Sequence, residues 1–277
     1  MAEPLISIIT PTYNCGAYIR DCIESVIAQG YEPFEHIIMD NCSQDETIAI
    51  LKEYPHIQWV SEPDEGEAQA LNKALRLAKG DIIGWLNADD LYEPGAFDAV
   101  GNEMKSGAGK HVFYGRTIFL DELDELLYED QPPTSLELQD LLMFWRQPLR
   151  QPSMFYSGEA VRAIGEYRED YNYSIDYDYW LRLSSRYAFM YVDKALSRAR
   201  HRPGSKSRGT VYPQFLSAYE VSEPYRQDCS LATRVKLKFL LWLDCYPRLV
   251  LVSLLDKFGI HPPLLARLRR HMNRSGT

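Results

Sequence analysis

A chain of 277 residues has room for one large domain, or one domain with an appendage, and 45% hydrophobic with 25% charged residues is ordinary for a soluble globular protein with a sizeable core. The formal net charge of −9 is unevenly spread: residues 231–277 carry nine Lys/Arg against two Asp/Glu (+7), and the remainder carries 21 against 37 (−16). An acidic body argues against nucleic acid as the main partner, while the basic tail points to something anionic at that end, such as a membrane surface. The five cysteines (15, 22, 42, 229 and 245) form no CxxC and no ligand-like grouping with His, as expected in a reducing compartment. Met1-Ala2-Glu3-Pro4 runs into a strand without a basic and then apolar leader, and the apolar stretch 239–255 is broken by Asp244, Pro247 and Arg248. These features predict no signal peptide, no transmembrane span and a cytoplasmic setting, with peripheral contact at the inner face of the plasma membrane as the membrane alternative.

In chain order, residues 5–10 (Leu-Ile-Ser-Ile-Ile-Thr) read as a buried strand ending at Pro11. Ile19, Cys22, Ile23, Val26 and Ile27 mark one face of a helix stopped by Gly30. A second strand at 36–39 leads into the polar loop Asp40-Asn41-Cys42-Ser43-Gln44-Asp45, with Asp45 placed to cap a helix over 46–54. A strand at 57–60, a loop at 61–66 and a helix over 67–79 follow, the last with Ala68, Leu71, Leu75 and Ala78 on one face. Residues 82–86 form an apolar run too short for a helix, hence a buried strand, and the chain then turns abruptly polar through Asn87-Ala88-Asp89-Asp90. Strand–helix alternation at this spacing implies a mainly parallel sheet with right-handed crossovers. Thr10-Pro11-Thr12-Tyr13, Asp40-Asn41 and Asp89-Asp90 therefore converge on one sheet edge, where open α/β sheets bind ligands.

Beyond Pro94 the pattern is less regular. It predicts helices over 97–104, 136–145 and 176–187, and strands at 111–114, 117–120, 153–156, 189–192 and 196–199. The acidic stretch 121–130 reads as a solvated loop or a hairpin, 201–207 as a basic loop, and everything from Pro213 as increasingly basic helix. The predicted division is a domain over 1–212, with a donor half at 1–93 and an acceptor and catalytic half at 94–212, and a helical extension over 213–277.

Five motifs in order, at residues 8–14, 40–47, 61–66 with 70–73, 87–89 and 176–180, resemble those of the inverting family 2 of GT-A-fold glycosyltransferases. Ile8-Ile9-Thr10-Pro11-Thr12-Tyr13-Asn14 is similar to the family's first nucleotide-binding loop, and Asp40-Asn41-Cys42-Ser43-Gln44-Asp45-Glu46-Thr47 to its Asp-Asp-Gly-Ser-x-Asp-x-Thr loop. Ser61-Glu62-Pro63-Asp64-x-Gly66 with Ala70-Leu71-Asn72-Lys73 matches the next signature. Asn87-Ala88-Asp89 occupies the Asp-x-Asp place, and Asp176-Tyr177-Asp178-Tyr179-Trp180 the catalytic acidic motif. The match runs from about residue 5 to about residue 207.

The resemblance implies a mixed, mainly parallel α/β sheet flanked by helices, and transfer of a sugar from a nucleotide-sugar, most often a UDP-sugar, to a hydroxyl of a glycan or lipid-linked acceptor. It implies that Thr10, Pro11 and Tyr13 line the nucleotide pocket and that Asp40 accepts a hydrogen bond from the base, with Asp64 and Asn72 in the same binding set. Asp89 would help hold Mg²⁺ or Mn²⁺ on the diphosphate, with Asp90 beside it. Asp176 would be the general base, and His201 and Arg202 a basic loop closing over the diphosphate. Three departures stand out: Asn87 is neutral at the first position of Asp-x-Asp, Gln69 replaces a common Asp near the donor, and Asn41 replaces a second Asp.

Plainer readings stand beside these. Asp40 fits a turn residue in an Asx motif, Asp64 and Glu67 a cap pair around Gly66, Asp90 a helix cap, and Asp176 and Asp178 first-turn residues favoured by the helix dipole. A catalytically degenerate nucleotide- or glycan-binding module is the non-enzymatic alternative. A sugar nucleotidyltransferase is the enzymatic one, although Thr10 to Asn14 lacks the Gly-rich basic loop that activity needs. In the tail, Phe239, Leu240, Trp242 and Leu243, with Leu249, Val250, Val252, Leu254 and Leu255 further on, alternate with Lys and Arg. That pattern fits an interfacial membrane helix, a helix packed on the main domain, or the interface of a homodimer.

Overall fold

A computed structural model describes residues 2–107, 109–146, 149–202 and 211–245. The N-terminal half is built from β1 (Ile6–Thr12), α1 (Ile19–Ile27), β2 (Phe34–Asp40), α2 (Thr47–Leu51), β3 (Gln58–Ser61), α3 (Glu67–Leu77) and β4 (Ile82–Trp85). Its four strands pair in parallel in the order β3-β2-β1-β4. The expected helix over 46–54 is shorter in the structure. Ile6 and Ile8 point to one face, against Cys22 and Val26 of α1, and Ile9 to the other, with Leu71 and Ala74 of α3. Helices on both faces explain why these strands read as continuous apolar runs.

The register is what positions the site. Thr12 pairs with Asp40, Asp40 with Ser61, and Ile9 with Trp85, so the loops after β1, β2 and β4 leave the sheet on one edge, as the sequence pattern predicts. Gly84 lets three elements meet at β4: a Cβ there would lie 2.6 Å from Tyr92 Oη and 2.9 Å from both Ile8 Cδ1 and Phe155 Cε1.

The second half follows with β5 (Leu91–Tyr92), α4 (Ala96–Lys105), β6 (Val112–Leu120), β7 (Leu126–Glu129), α5 (Leu138–Leu141), β8 (Met154–Ser157), α6 (Gly158–Ile164), α7 (Ile175–Ser184) and β9 (Phe189–Arg200). The sheet continues as β4-β8-β6-β9-β5, with β7 on β6. β8 is antiparallel to β4 and β6, β9 parallel to β6, and β5 antiparallel to β9. The sheet is mixed and mainly parallel.

Several boundaries differ from the sequence expectation. The strands predicted at 111–114 and 117–120 are one strand, β6, with a register irregularity around Arg116. At Gly115 a Cβ would stand 2.6 Å from the Lys194 carbonyl, so glycine lets the two strands stay close at this irregularity. The strands predicted at 189–192 and 196–199 are likewise one, β9, which pairs with β6 up to Tyr191 and again from Ala195, with Asp193 and Lys194 in the irregularity between. The stretch 121–130 adopts the hairpin alternative. The helix predicted over 136–145 is only α5 and a 3₁₀ turn at Phe144–Arg146, because a capping box of Glu137 and Asp140 starts it at Leu138 and i→i+3 bonds tighten its end. α6, absent from the expectation, is capped by Ser157, whose Oγ accepts from the Ala160 N–H at 3.0 Å.

After β9 come α8 (Val211–Gln227), α9 (Leu231–Leu240) and a π turn at Leu241–Cys245. α8 packs on α7, and Ser217 Oγ donates to the Tyr173 carbonyl at 2.9 Å. Among the described residues no helix is long and apolar enough to cross a membrane. The basic loop beyond Arg202 (203–207) and the apolar tail residues from Leu249 to Leu255 lie outside the described residues.

Candidate active site

The β1–α1 and β2–α2 loops are locked together along the sheet edge. The Asn14 N–H donates to Ser43 Oγ (2.7 Å), Cys15 N–H to Thr47 Oγ1 (3.0 Å) and Gly16 N–H to Asp45 Oδ2 (2.8 Å). Asp45 Oδ1 also accepts from the Thr47 N–H, satisfying the start of α2 as the sequence suggests. Asn14 and Cys42 both take positive φ in these turns, at 49° and 52°.

Within this frame the expected nucleotide residues separate. Tyr13 is 58% exposed, a ring free to stack, and Pro11 is half-buried beside it. Thr10 lies beneath, fully buried, with its hydroxyl against His36 Nε2 at 2.9 Å. Asp40 is buried at the end of β2. Its carboxylate accepts from Ser43 N–H (3.0 Å), Ser61 Oγ (2.6 Å) and Ser43 Oγ, so in this structure it holds its own loop in the turn geometry. Asn41 reaches the next loop, accepting from the Asp64 N–H at 3.0 Å, and Asp64 Oδ1 in turn accepts from Gly66 N–H at 2.9 Å ahead of α3. Burial raises the Asp64 carboxyl.

Asn72 is not at the cleft surface. It is buried, with Nδ2 donating to the Tyr167 carbonyl (2.9 Å) and Glu169 Oε1 (3.0 Å) and Oδ1 accepting from Tyr167 N–H (2.8 Å). Gln69 lies on the same helix, 3.5 Å from Glu169. Both residues tie α3 to the segment before α7.

The turn after β4 carries the carboxylates. Asn87 Oδ1 accepts from the Trp85 indole N–H at 2.7 Å and its Nδ2 donates to Gln151 Oε1 at 3.3 Å. Asp89 is ion-paired to Arg202, Nε to Oδ2 at 2.5 Å, and the same guanidinium lies 4.9 Å over the Tyr18 ring. Asp90 is buried and accepts from the Arg200 backbone N–H at 3.2 Å. Burial, and then the charge of Asp89, push the Asp90 carboxyl well above the usual carboxylate range. His201 stacks on Phe119, ring centroids 5.2 Å apart, and its backbone N–H donates to the Leu120 carbonyl; it faces β6 while Arg202 faces Asp89.

Arg200 was not singled out in the sequence, yet it organises this corner. It is bidentate to Asp124 (2.6 and 2.8 Å), bonds Asp21 (2.8 Å) and lies 5.6 Å over Tyr18, beside a small cavity of about 80 Å³. The alternation of Arg198, Arg200 and Arg202 along an extended strand was the available signal.

Asp176 occupies the first turn of α7, after Ser174 in a left-handed conformation (φ 62°). It is half-buried, and its Oδ1 accepts from the Tyr177 N–H at 2.7 Å. Behind it stand Tyr156, which accepts from the Trp180 indole at 2.9 Å, and Tyr167, whose ring meets Trp85 at 5.4 Å. Both phenols are raised well above their usual range, chiefly by burial, with Asp176 among the smaller electrostatic contributors. Asp176 and the Asn87 turn are therefore joined by one aromatic wall. Asp178 is structural: it is buried and paired to Arg182 at 2.8 Å.

Among the described residues no three His, Cys, Asp or Glu side chains gather as a metal cage. Mg²⁺ or Mn²⁺ does not require one, since such ions are commonly held by one or two carboxylates plus substrate phosphates and water. Asp89 fits that minimal role once Arg202 releases it. Asn87, engaged by Trp85 and Gln151, does not join it in this arrangement.

Residues 7–159, more than half of the chain, match the family model described as glycosyl transferase family 2. The chain is 29% identical over 197 residues to the chondroitin synthase of Escherichia coli, which covers 69% of this chain and 28% of that one. It spans between 31% and 61% of the length of four other curated relatives of comparable similarity. In structure it is similar to Staphylococcus aureus TarS 1-349 in complex with UDP-GlcNAc (TM-score 0.63, 19% identity, 84% of this chain and 70% of that one). It also resembles the mannosyltransferase PcManGT of Pyrobaculum calidifontis, in complex with GDP-Man and Mn²⁺ (TM-score 0.54, 16% identity, 98% and 88%). The sheet order, the linked loops on its carboxyl edge and the match across both halves agree: the chain belongs to glycosyl transferase family 2 and has the GT-A fold.

Proposed function

We propose that this chain transfers a sugar from a UDP-sugar to a hydroxyl of a glycan or lipid-linked acceptor, with inversion at the anomeric carbon. The observation that carries this reading is the sheet-edge cleft in which exposed Tyr13, the Asp89–Arg202 pair and, across the aromatic wall, Asp176 are presented together. In this scheme Tyr13 and Pro11 receive the base, and residues 1–93 supply the donor side. Asp40 keeps the β2–α2 loop in shape and offers its remaining acceptor capacity to the base. Mg²⁺ or Mn²⁺ held by Asp89 would neutralise charge on the diphosphate. Arg202 exchanges its bond to Asp89 for the diphosphate oxygens, so a cation already built into the cleft meets the charge that develops on the leaving group. Asp176 takes the proton of the acceptor hydroxyl as its oxygen bonds to the anomeric carbon. The bond to the phosphate oxygen breaks on the opposite face, and the nucleoside diphosphate leaves with the electron pair. That TarS was captured with UDP-GlcNAc supports the choice of base.

A nucleotide-release assay over UDP-, dTDP- and GDP-sugars, with and without Mn²⁺, tests the scheme. Release from a UDP-sugar is expected to need Mn²⁺ and to fall about 100-fold or more in Asp89→Ala. Asp176→Asn is expected to abolish transfer to acceptor while donor affinity by calorimetry stays within about threefold. Asn87, held away from metal duty by Trp85, favours one rival, the catalytically degenerate module. Donor binding with no release or transfer in any variant would establish that rival.

A further inference from the structure

We propose that α9 and the turn that follows it form a docking face for an anionic lipid surface. The helix has two dissimilar sides. Leu237 is buried and belongs to the same apolar cluster as Ala218 and Val221 of α8, which fastens the helix to the body. On the opposite side Leu231, Val235 and Phe239 recur at intervals of four, and Trp242 and Leu243 extend the row; each is more than half exposed. At roughly 100° per residue, Arg234 and Lys238 flank this apolar row on one side and Lys236 on the other. All three cations are exposed, and no carboxylate occurs between Leu231 and Leu243.

An apolar stripe with an exposed Trp and a cationic border matches what the lipid headgroup layer offers: an apolar layer beneath and negative charge around it. Charge complementarity selects this occupant over a second copy of the chain. A symmetric dimer through this face would set the same three cations against one another, whereas anionic headgroups neutralise them. The rest of the molecule enforces the orientation. The sequence carries −16 outside residues 231–277 and +7 within them, so the segment that begins with α9 is the part of the chain drawn to a negative surface. Because α8 is pinned to the segment before α7, docking would hold the Asp176 end of the cleft at a fixed distance from the membrane.

The test is flotation of the full 277-residue chain with vesicles of phosphatidylglycerol and phosphatidylcholine in equal parts, and with phosphatidylcholine alone. Wild type is expected to float with the mixed vesicles, less with the neutral ones, and less as salt rises. Each cation at such a surface is worth about fivefold in partitioning, so Lys236→Glu/Lys238→Glu is expected to reduce the bound fraction more than about tenfold. Val235→Glu/Phe239→Glu should abolish binding with an unchanged melting curve, since both side chains are exposed. As a measurement independent of those variants, brominated lipid should quench tryptophan fluorescence in wild type and lose much of that effect in Trp242→Phe. Failure to float, equal flotation on both vesicle types, or a dimer by light scattering that Phe239→Glu dissolves without any vesicle binding would each overturn the proposal.

Discussion

Asn87 stands where the resemblance implies a carboxylate, and its neighbours show why an amide is accommodated. It must accept from the Trp85 indole and donate to Gln151 Oε1. A carboxylate can do the first and not the second, and it would face the Gln151 oxygen instead. The sequence exposed the departure but not its partner, because Gln151 is 64 residues away. His36 shows the same asymmetry. It reads as the first residue of a strand, yet the fold buries it against Thr10, and burial first, then His56, lower it from 6.5 to about 3. The linkage is fixed by sign: below about pH 6.5 the unfolded chain takes up a proton that the folded one refuses, so stability is lost as pH falls from there toward 3. The expected slope is about 1.4 kcal/mol per pH unit. Urea denaturation midpoints of wild type and His36→Asn between about pH 7 and about pH 4 check this; a slope that survives in His36→Asn would assign it to other groups.

At the level of elements, the strongest case is the coupling of α3 to the loop before α7. Asn72 falls within a motif whose resemblance suggested a place in the nucleotide-binding set, but its amide is committed to Tyr167 and Glu169, with both Nδ2 donors used. Its contribution is to hold the segment leading to Asp176. Asn72→Ala leaves the Tyr167 N–H and carbonyl unpaired in a buried site and is expected to cost about 2–3 kcal/mol. Equilibrium denaturation reads that loss, and donor affinity should remain within a few-fold while transfer falls; loss of donor binding alone would return Asn72 to the pocket. The regular elements α1, α3 and β1 to β4 were legible because their apolar periodicity is local. β6 and β9 were not legible as single strands, since Gly115–Arg116 and Asp193–Lys194 interrupt the pattern and only their mutual pairing bridges it.

For the whole molecule, the functional reading requires that donor and metal bind the folded chain. A UDP-sugar with Mn²⁺ at about 100 times its dissociation constant should stabilise by about 2.7 kcal/mol and raise Tm by roughly 5 °C. Asp89→Ala should lose most of that shift. No shift in wild type under calorimetrically confirmed binding would place the ligand on a surface that does not depend on the fold.

By itself the sequence determined the class of fold, the order of the elements in the N-terminal half and the gathering of Tyr13, Asp40 and Asp89 on one edge, because alternating strands and helices of that spacing close only into parallel units. It also determined which residues deserved attention at each loop, through motifs that are local in the chain. Only the tertiary structure decided what those side chains touch. Arg202 sits on Asp89 across 113 residues, Arg200 joins Asp21 and Asp124, and Asp40 turns inward to Ser43 and Ser61. A carboxylate's partner is set by distance and desolvation in three dimensions, and neither quantity is encoded in the spacing of residues along a strand.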